Sequence, residues 1–363
     1  MSIQRVLISG GGTGGHIYPA IAIASALQEA NPSLEFLFVG AEGKMEMEKV
    51  PKAGFRIIGL PIVGINRQHM WKNLLFPIKL LRSLSKAFSI LKEFNPDLAI
   101  GVGGYASGPM LMAAYVKGIP FVIQEQNSFA GITNKLLSKK AQHIFVAYPG
   151  MEKFFPAEKI KLLGNPVRKD LIESKNKRAQ AAKFFGLDAD KSTVLVIGGS
   201  QGARSINLAI EMGLSKLEEA GVQLVWQTGI PFENHAKKSA GENPKLPSYV
   251  SAFIYEMDLA YAMADIVISR AGALSVSEIC LAGKASVLVP FPNASEDHQT
   301  ENALSLVRQH AALLVKDNEA KDVLIKTALE TLANKNLLDS LASASLSMGK
   351  PKAAQEIAAT LLQ

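Results

Sequence analysis

Cysteine is nearly absent: Cys280 stands alone among 363 residues. One thiol can close no intrachain disulfide, and such sparing use points to a reducing, cytosolic compartment. Cys280 falls on the apolar side of a helix and reads as a small buried residue. An unbroken membrane-spanning run is also missing. Leu98 to Val116 runs 19 residues without a charge, but Gly101, Gly103, Gly104, Gly108 and Pro109 interrupt it. Strand, loop and helix account for that stretch better than a spanning helix. Met1 to Gly12 offers only a short apolar run ending in glycines, so no signal peptide is expected. Paired histidines and an Asp-x-Asp cluster are lacking, and no nucleic-acid-binding motif is present, so neither a metal nor a nucleic acid partner is expected. Acidic residues are missing from one long stretch. Between Lys49 and Lys92 every charge is positive: Lys49, Lys52, Arg56, Arg67, Lys72, Lys79, Arg82, Lys86 and Lys92.

The length suffices for two domains, each with its own core. A hydrophobic content of 48% and a charged content of 20% describe a folded protein. The net charge of +7 is lopsided, because residues 1–164 carry 18 Lys and Arg against 10 Asp and Glu, a net of +8. Met70-Trp71, Leu74-Leu75-Phe76-Pro77-Ile78 and Leu80-Leu81 are interleaved with the basic stretch. Basic side chains mixed with large apolar ones suit an anionic membrane face, with Trp71, Leu74, Leu75 and Phe76 as the contact residues. The competing expectation is a buried amphipathic helix with a solvated basic edge.

One local device occurs three times. Arg5 to Ser9 is a short apolar strand that runs into Gly10-Gly11-Gly12-Thr13-Gly14-Gly15-His16, and Ile17 to Ala30 follows with helical periodicity. Thr193 to Ile197 leads into Gly198-Gly199-Ser200-Gln201-Gly202-Ala203-Arg204 and a helix to Lys216. Asp265 to Ser269 leads through Gly272 into a helix opening at Ala273. A helix start leaves N–H groups unpaired and carries partial positive charge, so each device suits a phosphate. Glu278 lies about a turn and a half into the third helix, within reach of a ribose whose phosphates sit at its start.

Gly10, Gly12 and Gly15 satisfy the dinucleotide pattern, and Glu42, after the strand Glu35 to Val39, could hold a ribose. The P-loop pattern fails because His16 stands where lysine is required. Beside a glycine cradle, His16 is a candidate for acid–base chemistry, the plainer alternative being a helix-start residue. Strand and helix signals alternate along the chain, which implies α/β architecture with parallel sheets covered on both faces. The ligand crevice is then expected at the carboxyl ends of the strands, where Gly10 to His16, Gly103-Gly104-Tyr105 and Glu125-Gln126-Asn127 fall. Glu125 and Asn127 could equally cap the following helix. Gly164 to Arg168 reads as a hinge, dividing the chain into 1–164 and 165–350, with the last helix, Lys352 to Leu362, crossing back onto the first domain.

Taken together, Gly10 to His16, Gly198 to Arg204, Ala273 to Glu278 and Asp297 to Ala303 resemble the GT-B glycosyltransferases. These have two Rossmann-like, doubly wound parallel-sheet domains facing a cleft. Glu125-Gln126-Asn127 and Gly164 to Arg168 narrow the resemblance to family 28, and within it to enzymes that transfer N-acetylglucosamine from UDP-GlcNAc to lipid I, undecaprenyl-pyrophosphoryl-MurNAc-pentapeptide. The resemblance implies no cofactor and no metal. It places the donor mainly on the second domain, with the backbone of Ile254 and the side chain of Arg168 at the uracil and Glu278 at the ribose. Ser200 and the Ala273–Leu274 amides would take the diphosphate, and Ser275, Val276 and Ser277 would belong to the donor site as well. Gln299 and Asn127 would contact the sugar, and Thr13, Gly14 and Gly15 would close over it. It further implies an inverting reaction with His16 as base, Glu125 or a water-mediated arrangement as competitors, and a peripheral enzyme on the cytoplasmic membrane face. A nicotinamide-dependent dehydrogenase, a non-catalytic nucleotide-sugar or lipid-binding subunit, a glycolipid synthase and a UDP-GlcNAc epimerase remain as alternatives.

Overall fold

The structure is a computed structural model that describes residues 3–63, 76–167, 171, 176–199, 201–294 and 297–363. The chain divides into two compact units, Met1–Val167 with Lys352–Gln363, and Arg168–Pro351.

The first unit runs β1 (Arg5–Ser9), α1 (Gly14–Ala30), β2 (Glu35–Ala41), α2 (Glu46–Lys52), β3 (Ile57–Leu60) and α3 (Phe76–Phe94). It continues with β4 (Leu98–Gly101), α4 (Ser107–Val116), β5 (Phe121–Glu125), α5 (Ile132–Leu137), β6 (Ile144–Val146) and β7 (Ile160–Leu162). All seven strands are parallel, in the order β3-β2-β1-β4-β5-β6-β7. Alternation along each strand sends successive side chains to opposite faces. Val6, Ile8 and Val122 pack in one core with Ile23 and Leu27 of α1. Leu7 and Ile123 pack in the other with Ile90 of α3 and Met110 of α4. The order reverses between β1 and β4, and such a switch point opens a crevice at the strands' carboxyl ends.

The second unit runs α6 (Arg178–Phe185), β8 (Thr193–Ile197), α7 (Arg204–Met212), α8 (Leu214–Glu219), β9 (Gln223–Gln227), α9 (Glu233–Gly241) and β10 (Ser248–Ser251). Then come α10 (Met257–Met263), β11 (Ile266–Ser269), α11 (Ala273–Ala282), β12 (Ala285–Leu288), α12 (His298–Val307), β13 (Leu313–Leu314), α13 (Ala320–Ala333) and α14 (Lys335–Met348). Its parallel sheet has the order β10-β9-β8-β11-β12-β13, with the switch between β8 and β11. The final helix, α15 (Ala353–Leu362), belongs to the first unit, where Ile357, Ala358 and Leu361 join the core beneath α1.

Several expected boundaries move for identifiable reasons. Helix α1 starts at Gly14 rather than Ile17, because the carbonyl of Thr13 already accepts the N–H groups of His16 and Ile17 at 3.1 and 3.2 Å. His16 therefore sits in its first turn. The helix expected to reach Lys216 is two helices. Ile325 of α13 presses so close to Gly213 that a Cβ there would meet its Cγ1 at 2.4 Å. The charge-free stretch after residue 97 resolves into β4, a glycine turn and α4, and among the described residues no helix is long and apolar enough to cross a membrane.

Candidate active site

In the first unit the three loops at the carboxyl ends of β1, β4 and β5 lock together. Gly10 donates its N–H to Val39 O at 3.1 Å, and Gly11 donates to Gly103 O at 3.3 Å. Gly12 donates to Glu46 Oε2 at 3.0 Å, and Ala41 donates to Glu46 Oε1 at 2.9 Å. Glu46, on α2, is buried directly behind the loop, where a Cβ on Gly11 would lie 2.2 Å from its Oε1. These contacts correct the expectation of a phosphate cradle over Gly10 to Gly12. The amides face protein acceptors, and a buried carboxylate repels an incoming polyanion. Glu42, the expected ribose ligand of a dinucleotide, pairs instead with Lys86 at 2.9 Å.

His16 projects from the first turn of α1 and its Nδ1 lies 2.9 Å from Gln126 Oε1. The imidazole packs on Gly103, where a Cβ would come within 3.0 Å of Cε1. Behind it lies a buried amide network of Gln124, Gln126 and Asn165. Gln126 Nε2 donates to Val102 O at 2.8 Å and to the side-chain oxygen of Gln124. Gln124 Nε2 donates to Asn165 Oδ1 at 3.1 Å, and Asn165 Nδ2 donates to the main-chain carbonyl of Gln126 at 3.0 Å.

Glu125 turns the other way. Strand alternation puts it on the face of Ile123, away from Gln124 and Gln126. Its Oε1 accepts the Asn127 backbone N–H at 3.1 Å and the Asn127 side-chain amide at 3.3 Å. Its Oε2 accepts from Gly131 N at 3.0 Å and Asn134 Nδ2 at 2.8 Å. Both oxygens thus hold the loop between β5 and α5, and His16 and Glu125 are not brought together on one face.

In the second unit the carboxyl ends of β8 and β11 carry the two remaining glycine turns. The loop before α7 packs tightly on the end of β9, since a Cβ on Gly202 would sit 2.1 Å from Thr228 O. Helix α11 begins after Gly272 with no acidic residue in its first turn and no side-chain cap. The first turn of the helix therefore brings no acidic side chain of its own to offset the dipole. Glu278, half-buried on α11, accepts a hydrogen bond from the buried Tyr261 hydroxyl at 3.3 Å. The N–H of Ile254 donates to the buried Gln227 Oε1 at 3.1 Å. Asn302 of α12 donates to Ala271 O at 3.1 Å, tying α12 to the turn before α11. Gln299 accepts the Phe291 N–H at 3.0 Å. Cys280 is buried, and burial pushes its thiol up to about 11, which excludes it as a nucleophile.

The expected residues Trp71, Leu74, Leu75, Arg168 and Ser200 lie outside the described residues. Phe76 corrects its expectation. With Leu80 it packs against the core, whereas Ile78 and Leu81 of α3 point outward, Leu81 being 67% exposed. Val116 at the end of α4 and Leu136 of α5 are exposed as well, and Lys140 covers the ring of Tyr115 at 5.0 Å. Part of the basic stretch is compensated, since Lys49 and Lys52 pair with Glu48 and Lys86 with Glu42. Sequence reasoning missed Glu46, Gln124, Asn165 and Tyr261. For Gln124 a signal existed: an amide that continues the apolar run Phe121 to Ile123 implies a buried polar partner.

Comparison with protein families matches residues 6–146 to the glycosyltransferase family 28 N-terminal domain and residues 193–357 to the glycosyltransferase family 28 C-terminal domain. A protein of Bacteroides fragilis named UDP-N-acetylglucosamine--N-acetylmuramyl-(pentapeptide) pyrophosphoryl-undecaprenol N-acetylglucosamine transferase is 53% identical over 363 residues, covering 99% of this chain and 95% of that protein. The crystal structure of MurG from Acinetobacter baumannii matches with a TM-score of 0.80 at 32% identity, over 98% of this chain and 99% of that one. A UDP-GlcNAc 2-epimerase from Neisseria meningitidis, bound to UDP-GlcNAc, matches with a TM-score of 0.70 at 16% identity, covering 99% and 100% of the two chains, which is a likeness of fold alone.

Proposed function

This chain belongs to glycosyltransferase family 28, and from that premise we propose that it transfers N-acetylglucosamine from UDP-GlcNAc to the 4-hydroxyl of MurNAc in lipid I, giving lipid II for peptidoglycan synthesis. The observation that carries this reading is the 53% identity to a relative so named, of which 95% is covered.

The chain's own groups suit the parts of such a reaction. The start of α11 holds the diphosphate of the donor through backbone N–H groups and the helix dipole. Glu278, oriented by Tyr261, takes the ribose hydroxyls, and the carbonyl of Ile254 takes the uracil N–H. Gln299 contacts the sugar. In the transfer, the C1–O bond to the diphosphate breaks as the acceptor oxygen bonds C1 from the opposite face, inverting the anomeric centre. UDP leaves with the bonding electrons, and its developing charge falls on the same helix-start amides. The acceptor's hydroxyl proton passes to His16. Glu125 we assign to holding the loop that presents Asn127, because four N–H groups already occupy its two oxygens.

The acceptor is anchored in a bilayer, so the enzyme works at the cytoplasmic membrane face as a peripheral protein. Supporting that placement are Ile78 and Leu81 of α3, Val116 of α4 and Leu136 of α5, all exposed on helices of one sheet face and accompanied by Arg82, Lys117, Lys139 and Lys140. The test incubates the protein with sugar-labelled UDP-GlcNAc, with and without a short-chain lipid I acceptor. A transferase moves label to lipid only when acceptor is present. Conversion of the sugar nucleotide to its 2-epimer without acceptor would replace this reading with the epimerase.

A further inference from the structure

We propose that Gln126 is a positioning residue that locks His16 in the tautomer protonated on Nδ1, so that Nε2 is the nitrogen that takes a proton. The claim deepens the assignment of His16 as base and rests on it for its catalytic meaning.

The polarity of the buried amide network settles the tautomer. Main-chain carbonyl oxygens can only accept, and two of them pin the network at its ends. Val102 O receives a hydrogen bond from the Gln126 side chain at 2.8 Å, with Gln124 O a second, longer acceptor at 3.3 Å, so the Gln126 atom facing them must be nitrogen. The main-chain oxygen of Gln126 receives a hydrogen bond from Asn165 at 3.0 Å, so that Asn165 atom is nitrogen too. Asn165 Oδ1 must then accept from Gln124 Nε2, at 3.1 Å, and the other end of Gln124 is an oxygen accepting from Gln126 Nε2. Both routes agree, and both leave Gln126 with its oxygen toward His16.

An amide oxygen has no proton to give. At 2.9 Å from Gln126 Oε1, His16 Nδ1 is therefore the donor, and the lone pair of the neutral ring resides on Nε2. Turning the Gln126 amide over would press its oxygen against two carbonyl oxygens in a site where Gln126 is 1% exposed, a contact that burial makes prohibitive. Gly103 gives the ring close backing, because a Cβ there would lie 3.0 Å from Cε1 and 3.1 Å from Nδ1. A neutral amide also orients the ring without the added negative charge that would favour the imidazolium. It is a suitable partner for a histidine that must arrive unprotonated.

The test needs no turnover in its first arm. With the histidine ring nitrogens labelled in ¹⁵N, the chain's six histidines give few enough signals for His16 to be assigned by its loss in His16→Gln. At a pH where the ring is neutral, the expected spectrum shows a pyrrole-type Nδ1 and a pyridine-type Nε2. The reverse pattern, or shifts averaged between the two forms, would overturn the proposal. In the second arm Gln126→Met keeps the volume and removes the acceptor. It should average the ring signals and lower kcat about 10- to 100-fold, the range for partners that fix a histidine's tautomer, while leaving the KM for UDP-GlcNAc within about twofold. An unchanged kcat with the Nδ1–H form retained contradicts the role of Gln126. Should His16→Ala keep its turnover, the base assignment falls on its own, and the wild-type spectrum still decides the tautomer.

Discussion

Glu46 grips the glycine loop from behind: its Oε2 accepts the Gly12 N–H at 3.0 Å while its Oε1 accepts the Ala41 N–H at 2.9 Å. One buried side chain thereby joins the loop that leads to His16 to the end of β2. Glu46→Ala leaves the buried Ala41 N–H and the half-buried Gly12 N–H without their acceptor and should cost about 1–3 kcal/mol in urea unfolding, by the penalty for a buried unsatisfied group. Gly11→Ala probes the same contact from the loop side. Gly11 and Gly43 both have positive φ, +143° and +69°, but only the Gly11 methyl would meet Glu46, at 2.2 Å, while nothing lies within 4 Å at Gly43. Gly43→Ala should lose about 1 kcal/mol from backbone strain alone, and Gly11→Ala distinctly more. Equal losses at the two positions would show that Glu46 gives way freely.

The ribose assignment is tested at Glu278. Glu278→Ala should weaken UDP binding by about 1.5–3 kcal/mol, the range for a lost hydrogen bond to a charged group. Tyr261→Phe removes the hydroxyl that donates to Glu278 at 3.3 Å and should weaken binding by about 1 kcal/mol or less. Calorimetry that finds wild-type UDP affinity in a folded Glu278→Ala protein would remove Glu278 from the site.

Acid stability should depend on Asp97. This carboxylate accepts the Arg5 N–H at 2.8 Å and the Gln4 N–H at 2.9 Å, and those hydrogen bonds hold its pKa below the ordinary 3.8. A carboxyl with a depressed folded pKa binds its proton more weakly when folded. Its contribution is therefore present above the ordinary value and lost as the pH falls through the lowered one. Asp97→Ala should unfold at lower urea than wild type at neutral pH, with the gap narrowing as the pH drops below about 3.8. A gap that stays constant across that window contradicts the linkage.

Membrane attachment is tested on side chains that point outward. Ile78→Ser with Leu81→Ser should reduce sedimentation with anionic vesicles and leave turnover on a water-soluble acceptor unchanged, because both residues are exposed, at 49% and 67%. High salt should release part of the wild-type protein, as basic residues at an anionic surface act through a screened potential. Vesicle binding that survives both changes places the contact elsewhere.

Much of this architecture was legible in the sequence because strand–glycine–helix turns carry their own signal. Arg5 to Ser9 and Thr193 to Ile197 appear as strands with the bounds their apolar runs imply. Phe76 was misassigned because composition shows an apolar residue in a basic run but not which side of α3 it occupies. Helical spacing from Ser83, Ala87 and Ile90 places Phe76 and Leu80 inward and Ile78 and Leu81 outward. Glu46 was invisible for a different reason. Its partners Gly12 and Ala41 are main-chain groups brought to it by the sheet, and no residue type announces a backbone donor. The division between Gln126 and Glu125 follows from strand alternation once β5 is placed, whereas a motif read as a string treats the neighbours as one site.

The most direct test of the account compares wild type and His16→Ala in transferring labelled sugar from UDP-GlcNAc to a short-chain lipid I acceptor, with UDP affinity measured in parallel. The account predicts label in the lipid fraction through a β-linkage for wild type. For His16→Ala it predicts a rate lower by about 10²- to 10⁴-fold with UDP affinity unchanged, as for the loss of a general base. Label that never enters lipid with wild type contradicts the proposed reaction, and a His16→Ala rate near that of wild type contradicts His16 as its base.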